Sequence, residues 1–248
     1  MKKKFELSDI EKVRKRPEAW WDLITAPIAK LLTLINLNYL RLKPNTVSLL
    51  GLVSIFFGAY FFLRNDLILG AFFFFLRNMI DWVDGFTARL TNQTSLFGAY
   101  LDNYTGILSY GLGAFSLCYG QFIYTGNINW LIIGAPLMFL LIHHIWESLN
   151  VSKIVSAEKY GKSVVSTKKS KNPVWLINNW LLRHGLIEPM GAQDFQAIVF
   201  IIAPLTRLTF EIILISMILV TLKLFFWFVY YHNMLNNLDK KKLLKIKT

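Results

Sequence analysis

The sequence predicts an all-α integral membrane protein: six transmembrane helices preceded by an N-terminal interfacial amphipathic helix. Three observations carry this. Of the 248 residues, 54% are hydrophobic and 15% aromatic, and the mean hydropathy is +0.43, beyond the average of soluble domains. Apolar runs recur at lengths that cross, or nearly cross, a hydrocarbon core of roughly 30 Å. Basic residues gather in alternate connections, as the positive-inside rule requires.

Residues 1–44 form a cytoplasmic N-terminus and the interfacial helix. The opening MKKKFELSDIEKVRKRPEAWW is charged throughout, so no cleavable signal peptide is expected. Trp20, Ile24, Ile28, Leu31 and Ile35 then recur at helical steps, with Trp20 and Trp21 at headgroup depth. Packing of this helix on the other spans is compatible with the same pattern.

Residues 45–231 make the membrane domain, with spans expected at 46–63, 68–90, 96–120, 129–149, 194–206 and 208–231. The fifth is short and contains Pro204. A cytoplasmic loop, 151–192, separates the fourth and fifth spans and carries a further short interfacial segment, NPVWLINNWLLRHG. A basic cytoplasmic tail, 232–248, closes the chain.

Lysines and arginines crowd the N-terminus, the 151–192 loop and the tail. The connections after the first, third and fifth spans hold only Arg64 and Arg207. Both termini are therefore expected in the cytoplasm, and a compact chain of this kind suits a prokaryotic cytoplasmic membrane. The formal net charge of +12 points to anionic lipid headgroups and not to nucleic acid, because the aromatics lie in apolar runs. The single cysteine, Cys118, lies in the third span, so neither an intramolecular disulfide nor a Cys-rich metal site is expected.

One stretch breaks the apolar pattern. DWVDGFTARLTNQTSLFGAYLDNYTG, residues 81–106, sets Asp81, Asp84 and Asp102 between FFFFLRNMI and ILSYGLGAF. Ionised groups in a membrane span cost several kcal/mol unless they face water or a cation, so they mark a functional site. On a helix Asp81, Asp84, Gly85 and Ala88 share one face, with Arg89 one residue round. Gly98, Asp102 and Gly106 share a face of the next helix. The short connection 90–97 makes the two helices antiparallel neighbours, so the three carboxylates converge near their cytoplasmic ends. Oxygen-only donors suit a hard divalent cation, Mg²⁺ or Mn²⁺, whose remaining coordination positions substrate phosphates commonly fill.

These residues resemble the signature of the CDP-alcohol phosphatidyltransferases, D-x2-D-G-x2-A-R-x8-G-x3-D-x3-D. Asp81, Asp84, Gly85, Ala88, Arg89, Gly98 and Asp102 match at every position but the last. The resemblance reaches back to Pro44 and Asn45 and forward to Ser109, Tyr110 and Gly111; beyond residue 120 it rests on topology. It implies a six-helix membrane enzyme of phospholipid synthesis, commonly a homodimer, with a cavity open to the cytoplasm. Such enzymes move a substituted phosphate from a CDP-linked lipid donor, CDP-diacylglycerol above all, to an alcohol acceptor and release CMP. By the resemblance Asp81, Asp84 and Asp102 hold Mg²⁺ or Mn²⁺ on the donor diphosphate, and Gly85, Ala88, Arg89 and Gly98 shape the CDP pocket.

The departure falls on the chemistry: Gly106 stands where the family's fourth aspartate is assigned as the base for the acceptor. The catalytic base is thus unidentified. Three readings are open: an enzyme working without that base, a pseudoenzyme that binds CDP-lipid or metal, or an isolate-specific or engineered change. Losing a general base costs roughly 10²–10⁴-fold, which metal and positioning can outweigh, so the enzyme reading leads.

Replacement bases are sought in His143, His144 and Glu147, for which packing or pairing with Lys153 is the favoured role. Asn103 and Tyr104 point away from the face of Asp102, and Asp194 reads as a helix cap. Arg41 and Lys153 are candidates for an acceptor phosphate by position alone, against a solvated or lipid-facing basic rim. The Phe72–Phe75 run reads as packing or lipid-facing bulk. An ion-coupled transporter is the distant alternative; it would spread acids through the membrane depth and repeat its halves.

Overall fold

The computed structural model describes residues 4–13, 20–157, 190–206 and 208–246, and every regular element among them is helical. The basic stretch at 14–19 lies outside the described residues. So does most of the expected 151–192 loop, with its NPVWLINNWLLRHG segment.

Helix α1, Leu7–Lys12, is a single short element strapped onto the helix after it. The Phe5 amide donates to Asn38 Oδ1 at 2.9 Å, Asn38 Nδ2 donates back to the Phe5 carbonyl at 3.1 Å, and Lys30 pairs with Glu11. That next helix, α2, Trp20–Ile35, widens into a π turn at Asn36–Leu40 and stops where Arg41 takes a left-handed φ of 55°. The π turn is fixed by Asn36, whose side chain accepts from the Leu42 amide at 3.0 Å and donates to Thr87 Oγ1 at 3.1 Å.

The stripe of Ile24, Ile28, Leu31 and Ile35 is exposed, while Trp21, Asp22, Thr25, Ala26, Ala29 and Thr33 are buried. The apolar stripe therefore faces outward and the small, polar face packs on the bundle, as helix contacts in lipid favour. The helix thus packs on the bundle, against the helix Leu67–Leu90 above all, as the sequence pattern allowed, and does so through its small, polar face. Taken to Leu40, the segment is also long and apolar enough to cross a membrane.

Helix α3, Pro44–Leu63, begins with proline at its first position, where the missing N–H has no intrahelical partner to lose. Helix α4, Leu67–Leu90, is capped by Asp66, which accepts from the Leu69 amide at 3.2 Å. Helix α5, Leu96–Thr125, is capped by Ser95, which accepts from the Gly98 amide at 2.9 Å, and ends at Gly126 with φ 68°. Helix α6 spans Asn129–Ala157.

Helix α7, Ala192–Leu205, contains a π turn at Ile198–Ile202 and is only about 21 Å long at 1.5 Å per residue. Asp194 caps it, as its position suggests: Oδ2 accepts from the Gly191 amide at 2.8 Å. Its Oδ1 also accepts from the Trp21 amide at 3.3 Å, which pins the start of α2 to α7. Helix α8, Thr209–Ile246, completes the described chain.

Helix α3 lies along α4 and α5, α5 against α6, α2 against α4, and α6 against α8. The centre of the bundle is aromatic. Phe62 stacks on Phe74 at 5.3 Å between centroids, and Phe74 meets Phe200 at 4.9 Å. Within the Phe72–Phe75 run, Phe74 is buried and Phe72 exposed, so the run is packing and surface bulk. Cys118 is buried and free.

Four helical segments are long and apolar enough to cross a membrane: Trp20–Leu40, Pro44–Leu63, Asn129–Glu147 and Thr209–Asn236. Helices α4 and α5 have the length but are diluted by charged and polar residues, Asp81, Asp84, Arg89 and Asp102 among them. Helix α7 has the apolarity but not the length.

Candidate functional site

The end of α4, the start of α5 and the start of α3 lie together. Asn45, the second residue of α3, brings its Oδ1 to within 3.3 Å of where a Cβ on Gly98 would stand. The Pro44–Asn45 pair and the Gly98 turn of α5 are therefore in close register, and glycine makes the approach possible. Ser48, one turn further along α3, donates from Oγ to Asp84 Oδ2 at 2.6 Å. That short bond to a carboxylate belongs to the stronger class of hydrogen bonds and fixes the aspartate against α3.

Asp81 is held differently. Its Oδ1 lies 3.0 Å from Arg77 Nη2, one helical turn earlier, with both side chains largely buried. Asp84 stands within electrostatic range of Asp81, Asp102 and Arg77, and Arg77 within range of all three acids. The sequence-predicted acids thus lie within electrostatic range of one arginine, which pairs directly with Asp81. Among the described residues, however, no three His, Cys, Asp or Glu side chains are drawn close enough to form a ready-made metal shell. Two of the acids are turned toward protein partners, Ser48 and Arg77. The donor set itself, carboxylate and hydroxyl oxygens only, has the chemistry of a hard-cation site.

Arg89 folds back over its own helix. Its guanidinium comes within 3.3 Å of the position a Gly85 Cβ would take and lies 5.2 Å from the Phe86 ring centre. Gly85 thereby gives Arg89 a resting place on the acid-bearing face. Ala88 is partly buried beside it.

Gly106 offers the opposite picture: a Cβ there would meet nothing within 4 Å. Its carbonyl accepts from Ser109 Oγ at 2.8 Å, and Gln196 of α7 donates to the same hydroxyl at 3.2 Å. Tyr110 donates from its hydroxyl to the Ala192 carbonyl at 2.5 Å. The Ser109-Tyr110 pair therefore serves to tie α5 to α7.

The two histidines considered as replacement bases are held by aromatic rings. His144 is buried, stacks on Trp227 at 4.9 Å and meets Phe195 edge-on at 5.5 Å. His143 stacks between Phe139 and Trp146. Both are packing residues in this arrangement, as favoured from the sequence. Asn103 and Tyr104 are exposed, in keeping with their facing away from Asp102. Lys153 is within α6, but its side chain is not among those described.

Sequence reasoning missed Arg77 and Ser48. The signal for Arg77 was a lone cation four residues before Asp81 in an apolar run, the i, i+4 spacing of an ion pair. Ser48 carried no local signal, because its role arises only when α3 lies against α4.

An all-helical integral membrane protein with acids clustered at one helix-end junction is the class that fold and site define. The family model for CDP-alcohol phosphatidyltransferase matches residues 41–229, and the chain belongs to that family. A relative from Wigglesworthia glossinidia brevipalpis, named CDP-diacylglycerol–glycerol-3-phosphate 3-phosphatidyltransferase, is 42% identical over 62 residues. That match covers 24% of this chain and 34% of the relative, about a third of its length.

Proposed function

We propose that this protein transfers a substituted phosphate from a CDP-linked lipid donor of the CDP-diacylglycerol type to an alcohol acceptor, releasing CMP. The observation that carries the reading is the meeting of Asp81, Asp84 and Asp102, with Ser48 on Asp84, in a family member that matches seven signature positions. Glycerol 3-phosphate is the first acceptor to test, because the named relative acts on it.

Asp81, Asp84 and Asp102 would hold a divalent cation, Mg²⁺ or Mn²⁺, which supplies charge neutralisation for the donor diphosphate. Ser48 orients Asp84 through their 2.6 Å bond. Gly85, Ala88 and Gly98 keep the CDP pocket clear, and Arg89 turns from its rest over Phe86 to the donor phosphates. The acceptor hydroxyl oxygen bonds to the lipid-bearing phosphorus as the phosphorus–oxygen bond to CMP breaks. Its proton passes to water or a substrate phosphate oxygen, since Gly106 offers no base. The six-span topology, cytoplasmic termini, a prokaryotic membrane and a homodimer belong to the same proposal.

A second reading has its own support. The open space at Gly106 and the aromatic packing of His144 are what a CDP-lipid-binding pseudoenzyme would show. CMP release from CDP-diacylglycerol, with Mg²⁺ or Mn²⁺ and glycerol 3-phosphate, separates the two. The transferase reading expects release in the native chain, loss of about 10²–10³-fold in Asp84→Asn, and a gain in Gly106→Asp approaching the roughly 10²–10⁴-fold of a general base. Silence in the native chain with activity in Gly106→Asp establishes the pseudoenzyme; silence in both removes the transferase reading.

A further inference from the structure

Arg77 has no place in the family signature, yet it is buried, 5% exposed, in the middle of α4, one turn before Asp81. A guanidinium so placed is costly unless its surroundings compensate it. Its compensation is the acid site itself: the 3.0 Å pair with Asp81, with Asp84 and Asp102 in electrostatic range. At the same site this chain has glycine at 106, where the resemblance places another acid. Relative to the signature, the cluster has lost one negative charge and contains one fixed positive charge. With Arg89 assigned to the donor phosphates by the proposed function, the three carboxylates and the Arg77 guanidinium sum to a formal charge of −2, which one divalent cation neutralises.

We propose that Arg77 is a positioning residue that sets the charge of the carboxylate site, so that the site takes one divalent cation per chain. The assignment rests on the metal-dependent reading of the proposed function. Arg77 holds one oxygen of Asp81 and repels a second cation from the face Asp81 shares with Asp84. Arg89, 5.2 Å from the Phe86 ring centre, is the arginine that the proposed function assigns to substrate phosphate.

The test is Mn²⁺ binding to the full chain in nanodiscs, read by the electron paramagnetic resonance of free Mn²⁺ and independent of turnover. The native protein is expected to bind one tight Mn²⁺, lost in Asp84→Asn. Arg77→Met, which removes the charge but keeps the bulk, is expected to bind Mn²⁺ about tenfold tighter or more, and Arg77→Lys to stay within about threefold of native. Damage to the fold loosens a site, so tightening has no purely structural explanation; thermal melting of each variant is recorded alongside.

Unchanged or weaker binding in Arg77→Met, with Asp84→Asn still abolishing it, overturns the role of Arg77 and leaves the metal site standing. Two tight ions in the native chain also overturn it. Native binding that is absent, or that survives Asp84→Asn, removes the metal reading itself and the assignment with it.

Discussion

Helix α5 uses glycine in both of its halves to opposite ends. In the half that carries Asp102, a Cβ on Gly106 would touch nothing within 4 Å. In the distal half, a Cβ on Gly120 would collide with the Phe62 carbonyl, and one on Gly113 would stand within 2.9 Å of the Phe200 and Phe74 rings. The first glycine leaves room beside the acids; the others let α3, α4 and α7 close around the aromatic core. Residue type alone does not distinguish open space from a contact, and what lies opposite does.

The contrast breaks most visibly at Gly120. Gly120→Ala drives a methyl group into backbone, which cannot rotate away as a side chain can. We expect a loss of about 3 kcal/mol or more, at or above the upper end for overpacking, read as the shift in an SDS unfolding titration. Gly111→Ala is the control, since its Cβ would meet Ile142 at an ordinary 3.6 Å. Equal effects at the two positions would mean that α3 and α5 are not as close as this packing requires.

A smaller effect sharpens the site half. Ser48→Ala removes the donor 2.6 Å from Asp84 without altering the charges around it. A hydrogen bond to a charged group contributes about 1.5–3 kcal/mol to stability, so the variant should unfold earlier by up to that amount, and CMP release should fall as Asp84 loses its fixed orientation. A variant that unfolds early but retains its turnover would assign Ser48 to packing alone.

Much of this was legible before any fold. The start of α3 at Pro44, the end of α4 at Leu90 and the start of α5 at Leu96 agree with proline, short polar connections and the apolar runs between them. The facing of Asp81 and Asp84 came from the helical period. What was not legible depended on partners distant in sequence. Ser48 meets Asp84 across 36 positions, and Asp194 reaches the Trp21 amide across 173. The burial of the small, polar face of α2 was not legible for a different reason: an amphipathic pattern marks the apolar stripe, whereas in lipid small and polar residues make the helix contacts. Helices α4 and α5 read as spans by length, yet their charged and polar residues lower the apolarity by which a span is recognised.

The smallest effect closes the comparison from the other side. Gly106→Ala adds a methyl group to open space, so there is no overpacking term to set against the gain in helix propensity. Glycine in a helix interior is about 0.5–1 kcal/mol less favourable than alanine, so the variant should unfold slightly later than native, opposite in sign to Gly120→Ala. Turnover should stay within about twofold of native, because alanine neither supplies nor removes a base and one methyl group occupies little of the pocket. Measured together in one titration, the two substitutions test one claim. If Gly106→Ala destabilises by more than about 1 kcal/mol, the site half of α5 is packed like the distal half, and an acidic side chain at 106 would not have the room that the Gly106→Asp experiment assumes.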